Sequence, residues 1–445
     1  MKPDHDLCRR FGYAMADRQL PQTSQAIVLA VSGGADSLGM VALTRSWCDH
    51  IAADSAYHLI PRLSAVIVDH GLRHDSSAEA QQVASMLKSK DVEVKILQIT
   101  DAPPEYGLAE WARKKRYELL AVEAIKQDAV LLTAHHADDQ LETVEMRLSR
   151  GSGLRGLAAM RPEVGHLGVR LIRPCLGFTK SELAKAAIDA GFAPVSDPTN
   201  IDQRFQRPRL RADRDMRGQS GVTDQQLMSL CQLSARLIDR TDDLVKASAP
   251  TMFRIYPQGC AVMAKHVLKE KGFFLIAGHI LRHMAAKPYP ANEDAIAHLK
   301  QRLLSDQAAT LSGCEWRQDS QNRDQIIILR EPDAPIESIM LSEGKGIFDN
   351  RWKINYPHQV RVEAIGDRRF AQIRRYLPQV DDWPGCMARA FWSLPVLIDA
   401  NTKNLAELDR LVLDDGTIFP HLKKVRINSH VELMSDFSMA RFLGA

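Results

Sequence analysis

The hydrophobic positions of the first half of the chain fall into short unbroken runs separated by longer amphipathic stretches. Ile27-Val28-Leu29-Ala30-Val31 leads directly into Ser32-Gly33-Gly34-Ala35-Asp36-Ser37. An apolar run without polar alternation predicts a strand covered on both faces, as in parallel sheets. Leu38 to Trp47 then reads as a helix beginning just past the loop. The pattern repeats. Leu63 to Val68 is a run ending in Asp69-His70-Gly71, Ala78 to Leu87 is helical, and Val92 to Ile99 is a strand. Leu108 to Ile125 is a long amphipathic helix, and Ala129 to Ala134 is a buried strand running into His135. Strands separated by helices of this length predict an α/β fold with a doubly wound parallel sheet. Ligands of such sheets gather beyond the carboxyl ends of the strands. Ser32, Asp69 and His135 each follow the last apolar residue of a run, so this topology brings three distant motifs to one rim.

Further along, Thr179 to Ala190 reads as a helix closed by Gly191, followed by the loop Ser196-Asp197-Pro198-Thr199-Asn200. Arg204 to Arg217 carries six arginines against two aspartates, and a Gly218-Gln219-Ser220-Gly221 break ends a first domain at 1–217. Residues 222 to 305 are mostly helical in pattern, with apolar periodicity at Leu227 to Leu244 and Val267 to Met284. Thr310 to Arg330 predicts a hairpin whose polar Gln318 to Arg323 turn feeds the run Ile326-Ile327-Ile328-Leu329. These make a mainly helical middle domain at 222–332 with a terminal hairpin. From 345 to 445, short strand-like runs broken by proline and glycine predict a small α+β domain.

At 445 residues, two or three such domains are expected. Hydrophobic content of 45% and charged content of 25% are those of a soluble globular protein, and no apolar run is long enough for a membrane span. The first twenty residues lack the apolar core of a secretory signal. The seven cysteines are scattered and never in C-x-x-C spacing, the pattern of a reduced, cytoplasmic protein without a zinc or iron–sulfur site. A net charge of +3 neither demands nor excludes a polyanionic partner, so local clusters decide.

Four clusters carry candidate chemistry. Gly33 and Gly34 let the backbone turn and approach a ligand, Ser32 and Ser37 add hydroxyls, and the following helix start makes an anion site. The competing phosphate loop, GxxxxGK[ST], is absent. Thr133-Ala134-His135-His136-Ala137-Asp138-Asp139-Gln140-Leu141-Glu142-Thr143 places carboxylates at a helix start, with Leu141, Val144 and Leu148 as its core stripe. Its histidines and aspartates, with Asp69-His70-Gly71, also leave a metal site open. Arg113 and Arg116 lie one turn apart beside Tyr117, which is either a solvated face or a functional one. Gly151-Ser152-Gly153-Leu154-Arg155-Gly156-Leu157 is either a helix cap and turn or a mobile cationic loop.

The string SGGADS resembles the phosphate loop of the PP-loop ATP pyrophosphatases. Taken in order with VDHGLR, ARKKRY, HHADDQLET and RGSGLRGL, it is similar to the tRNA(Ile)-lysidine synthase family, densely over residues 25 to 210. A weaker similarity continues in the Thr310 to Arg330 hairpin, in Gly366-Asp367-Arg368 and in Leu394-Pro395-Val396-Leu397. One departure is Arg207-Pro208-Arg209, where the family tends to have Arg-Asn-Arg.

The resemblance implies a ligation on the wobble cytidine of the CAU anticodon of tRNA(Ile). ATP adenylates the oxygen on carbon 2 of that base and releases pyrophosphate. Free L-lysine then attacks the same carbon through its ε-amine and expels AMP. The implied ATP-binding residues are Ser32, Gly33, Gly34, Ala35, Asp36, Ser37 and Arg113, with Asp36 meeting Mg²⁺. Asp139 and Glu142 are implied for lysine, and Asp139, His135, Asp36 and Arg207 for the chemistry. Arg368, Arg369, Arg374 and Arg375, near Phe370 and Tyr376, form a candidate tRNA-binding patch in the C-terminal domain. No membrane partner is expected, and a homodimer is left open. The competing readings are another PP-loop tRNA-modifying enzyme or synthetase, a metal-dependent phosphohydrolase, and a non-catalytic nucleotide-sensing RNA-binding module.

Overall fold

The computed structural model describes residues 3–20, 22, 24–54, 59–71, 76–195, 222–256, 259–284, 291–331, 336–341, 345–349, 351–355, 359–373, 387–399 and 431–433. The chain divides into two compact units, Met1–Ile238 and Asp239–Ala445.

The first unit is built on a six-stranded sheet of β1 (Ala26–Val31), β2 (Arg62–Asp69), β3 (Glu93–Gln98), β4 (Val130–Leu132), β5 (Glu163–His166) and β6 (Val169–Ile172). Their order is β3-β2-β1-β4-β6-β5, and every pairing is parallel except that of the edge strand β5 with β6. Ile27, Val28, Leu29, Leu131 and Leu132 are fully buried, which is why these strands read as continuous apolar runs. The helices of this unit are α1 (His5–Ala16), α2 (Ala35–Ala53), α3 (Ser76–Lys88), α4 (Leu108–Lys126), α5 (Ala137–Leu148), α6 (Leu154–Leu157) and α7 (Lys180–Asp189). The chain leaves β1 toward β2 and β3 on one side, while β4 and β6 lie on the other. This reversal makes a crevice between the carboxyl ends of β1 and β4, where doubly wound sheets receive ligands.

Several local structures extend the sequence reading. Helix α2 starts at Ala35, three positions before the apolar pattern begins, because Gly34 serves as its N-cap. Helix α1 closes on α7 through Arg10, which meets Glu182 at 2.6 Å and lies 4.5 Å over the Phe178 ring. Thr179 and Glu182 form a reciprocal capping box at the start of α7, one residue past the predicted Thr179. Strands β5 and β6 were not expected. Leu167 and Gly168, both at positive φ, make the two-residue turn that twists such a hairpin correctly. The predicted core stripe of α5 needs one correction. Leu141 and Val144 are buried against Leu227 and Cys231, but Leu148, at the last position of the helix, is exposed.

The division between the units falls within α8 (Asp224–Met252). In the second unit, β7 (Phe253–Tyr256), β8 (Cys260–Ala264), β9 (Ala309–Leu311), β10 (Cys314–Gln318) and β11 (Gln325–Arg330) form an antiparallel sheet ordered β7-β8-β11-β10-β9. Ile326 and Ile328 of β11 face a cluster with α9 (Phe273–Met284) and α10 (Glu293–Leu304). Ile327 and Leu329 face a second cluster that includes Phe348, Trp352 and Val362. With both faces covered, β11 loses polar alternation, and the helical middle region rests on a sheet whose first two strands the apolar pattern did not reveal. Beyond it lie β12 (Ile339–Leu341), β13 (Lys345–Phe348), β14 (Trp352–Asn355), β15 (Val360–Ala364), β16 (Pro395–Asp399) and β17 (Val431–Leu433), with α11 (Gly366–Ile373) and α12 (Met387–Phe391).

Candidate active site

The turn after β1 is shaped by one glycine. Gly33 has φ +85°, and a Cβ there would stand 2.5 Å from Val83 Cγ2 of α3. Gly33 also accepts the Val195 N–H at 3.0 Å. Gly34 has ordinary extended backbone and room for a side chain, so it serves here as an N-cap without a side chain. The first amides of α2 thus lack a side-chain cap and carry the positive end of the helix dipole. The buried Ser37 hydroxyl donates to Gly34 O at 2.9 Å and accepts the Ser32 N–H at 3.2 Å, closing the loop on itself. Ser32 is exposed, beside Ala35 and Asp36.

Across the crevice, β4 ends at Leu132 and α5 begins at Ala137. The intervening Thr133 hydroxyl contacts His135 Nδ1 at 3.0 Å. The next residue, His136, is the centre of the site. Its Nε2 lies 3.5 Å from Asp36 Oδ2 and 3.6 Å from Asp139 Oδ2, and its Nδ1 lies 3.5 Å from Asp138 Oδ2. Burial works against the imidazolium, but Asp36, Asp139 and Asp138 outweigh it and hold its pKa above the ordinary histidine value. His136 therefore joins the phosphate-loop carboxylate to the carboxylates of α5.

Each member of α5 has a distinct place. Asp139 accepts the His136 backbone N–H at 3.1 Å, and Glu142, one turn later, is fully buried. Asp138 accepts the Lys180 N–H at 3.0 Å and so ties α5 to the start of α7. The Gln140 side-chain amide exchanges two hydrogen bonds of 2.8 Å with the backbone of Met160, which fixes the end of the glycine-rich segment to α5. Asp69, by contrast, is saturated. Its carboxylate accepts the Gly71 N–H at 3.0 Å and the Ser77 hydroxyl at 2.5 Å, holding the approach to α3.

Among the predicted residues, the crevice assembles Ser32 to Ser37, His135, Asp139 and Glu142. Arg113 stands in α4, its guanidinium 5.1 Å over the Tyr117 ring. Arg207, Arg374 and Arg375 lie outside the described residues, as does the side chain of Arg369. Arg368 is exposed on α11. Phe370, expected beside it as a stacking residue, is instead buried with its ring 5.5 Å from Phe391. The sequence marks His136 only as a candidate metal ligand, and reveals neither its bridging position nor the Gln140 contact. The only signal for either residue was its place, immediately before and within the first turn of α5. Among the described residues no group of three or more histidine, cysteine, aspartate or glutamate side chains is arranged so that it could hold a metal ion. Asp36 Oδ1 is buried without a hydrogen-bond partner.

A PP-loop domain model matches residues 3–213. A tRNA(Ile)-lysidine synthase from Rhodopseudomonas palustris is 42% identical over 216 residues, covering 48% of this chain and 61% of that protein. The chain thus spans about three fifths of the length of that relative. A tRNA(Ile)-lysidine synthase from Ruegeria pomeroyi is 30% identical over 344 residues, covering 76% of this chain and 78% of that protein. Among solved structures, the U34-tRNA thiolase NcsA from Methanococcus maripaludis aligns at 16% identity and a TM-score of 0.42, over 53% of this chain and 79% of that one. The match to the Ruegeria pomeroyi protein runs through three quarters of the sequence, far past the PP-loop domain, and on it the chain belongs to the tRNA(Ile)-lysidine synthase family.

Proposed function

We propose that the chain ligates free L-lysine to carbon 2 of the wobble cytidine in the CAU anticodon of tRNA(Ile), through an adenylated tRNA, consuming ATP and releasing pyrophosphate and AMP. The observation that supports this most directly is the crevice between β1 and β4. An anion-ready loop faces a carboxylate helix there, and His136 bridges Asp36 to Asp139.

In the first step, the amides at the start of α2 and the Ser32 hydroxyl receive phosphate oxygens, where charge accumulates as pyrophosphate leaves. Asp36 fits a Mg²⁺ ion. Its Oδ1 has no protein partner, and an ion completed by phosphate oxygens and water does not require a cage of three protein ligands. Mg²⁺ there would supply charge neutralisation at the departing phosphates.

In the second step, the lysine ammonium, with an ordinary pKa of about 10.4, must lose a proton before it attacks. Asp139 and Glu142 are adjacent carboxylates on one face of α5, suited to hold an ammonium and to accept that proton. His136 keeps Asp36 and Asp139 apart in role while offsetting their mutual repulsion. Arg113 and Arg207 would face phosphate or the activated base.

The test is incubation of the full chain with ATP, labelled lysine and bulk tRNA, scoring pyrophosphate release and label in RNA separately. Both are expected with the unmodified chain. Glu142→Gln should raise the lysine requirement by roughly one to two decades, the cost of one charge-assisted hydrogen bond, and leave pyrophosphate release nearly unchanged. Asp139→Asn should accumulate adenylated tRNA. If both variants fail at pyrophosphate release and recover with Mg²⁺ rather than lysine, α5 serves a metal and the assignment of lysine to it is wrong.

A further inference from the structure

We propose that Arg113, Tyr117 and Arg173 form a receiving site for a phosphate group on the rim of the first sheet, with Arg173 as a binding residue. The proposal rests on the function above for its substrates, an ATP and an RNA, both of which carry that group.

Arg173 directly follows Ile172, the last residue of β6. Strand β6 lies parallel to β4, and the Thr133 N–H donates to Ile172 O at 3.0 Å. Arg173 therefore stands on the ligand-bearing rim, next to the segment that delivers His135 and His136. Arg113 arrives from the second turn of α4. The two guanidinium groups meet at the buried Tyr117. Arg113 Nη2 donates to Tyr117 Oη at 3.4 Å, and Arg173 interacts with the same hydroxyl. The His166 ring meets Tyr117 edge-on at 5.0 Å.

Nothing in this cluster balances two positive charges. Among the described residues neither Arg113 nor Arg173 pairs with a carboxylate. Arg173 Nη1 donates to Arg161 O at 2.9 Å, while its Nε is buried without a hydrogen-bond partner. Burial holds the Arg173 guanidinium below its ordinary pKa, and the charge of Arg113 adds to this. Burial, Arg173 and Arg113 together push His166 below the ordinary histidine value, so at neutral pH its ring is uncharged. Arg113 is exposed and Arg173 partly exposed, so it is the Arg173 Nε–H, shut away from water without an acceptor, that calls for a ligand oxygen. An arginine fork with a spare N–H and a second arginine nearby match the several oxygens of a phosphate better than a single point acceptor.

The test uses the full chain with Arg173→Gln, measuring ATP binding and, over a range of salt concentrations, tRNA binding. If the phosphate belongs to the nucleotide, ATP affinity should fall roughly ten- to a hundredfold with the tRNA salt slope unchanged. If it belongs to the RNA backbone, the slope of log K against log salt should become shallower by about 0.7 to 0.9, with ATP affinity unchanged. Either result supports the site. Unchanged affinities and slope in a variant that melts like the parent overturn it, as does a change confined to the lysine requirement. Should the glutamine variant not fold, Arg173→Lys keeps the charge and removes the fork. It should weaken the same ligand by roughly threefold or more, and an unchanged value overturns the proposal. Lysine incorporation by the unmodified chain is scored alongside. Its failure would sink the proposed reaction while leaving the phosphate-binding readout intact.

Discussion

Asp69 sits at the carboxyl end of β2, where burial alone would raise its pKa. The Ser77 hydroxyl, the Gly71 N–H and Ser76 outweigh that and hold it below the ordinary aspartate value. A carboxylate whose folded pKa is depressed contributes stability above its unfolded value of about 3.9, and the contribution is lost as pH falls through the folded pKa. Asp69→Ala should therefore cost about 1.5–3 kcal/mol in urea unfolding at pH 7, the range for hydrogen bonds to a charged group. The gap from the parent should close as the pH is lowered below about 4. A gap that stays constant down to pH 3.5 would show that the charge is irrelevant. At this scale residue type alone singled out Asp36, Asp139 and Glu142 as candidates, and the fold brings Asp36 and Asp139 together at His136. The sequence was unreadable where neighbours are chemically alike. His135 and His136 are adjacent histidines, and only the backbone entering α5 decides that His136 meets three carboxylates while His135 meets Thr133. Arg173 carried no signal beyond following an apolar strand that was itself too short to notice.

Elements formed by long periodic segments were legible, and those set by packing were not. The βα alternation from Ile27 to His135 predicted the parallel sheet because its central strands β1 and β4 are continuous in hydrophobicity, although the edge strand β3 (Glu93–Gln98) alternates and α2 is buried on every side from Ser37 to Thr44. Strands β5 and β6 are four residues each, and β7 and β8 are short strands between helical segments, so none stands out from its surroundings by period. Packing also assigns a purpose to Gly39, which no sequence pattern reveals. It lies in α2 against α7, and a Cβ there would collide with the backbone carbonyl of Leu183. On an exposed helix, glycine to alanine would gain about 0.8–1.0 kcal/mol. Here the clash is with backbone, which cannot rotate away, and overpacking of this kind costs about 1–3 kcal/mol. Net of that gain, Gly39→Ala should lower unfolding free energy by about 1 kcal/mol and at most about 2, and weaken ATP binding because α2 carries the phosphate loop at its start. A variant as stable as the parent would mean that α2 and α7 do not pack so closely.

For the molecule as a whole, a net charge of +3 over 445 residues hides any division of labour, because opposite charges elsewhere cancel local clusters. The proposed division sets chemistry in the first unit and a share of tRNA holding in the arginines of the C-terminal region. Arg368 is exposed on α11, while Phe370 beside it is committed to the core and is not available for base stacking; Tyr376 lies outside the described residues. Charge contacts to phosphate release counterions, so their loss is read in salt dependence as well as in affinity. Replacing Arg368, Arg369, Arg374 and Arg375 together with glutamine should weaken binding of full-length tRNA and flatten its slope by about 0.7–0.9 for each phosphate contact removed, up to roughly three in all. Stacking on an aromatic side chain would instead lower affinity with little change in slope. An anticodon stem–loop alone offers only the reacting part of the RNA. If these arginines hold the rest of the tRNA, pyrophosphate release on that minimal substrate should change by less than about twofold, since transition-state contacts in the first unit are untouched. Two measurements on one variant therefore decide the matter. A shallower slope with preserved turnover on the stem–loop places tRNA holding in these arginines, an unchanged slope with full-length tRNA makes them a solvated face, and loss of stem–loop turnover assigns them to the chemistry itself.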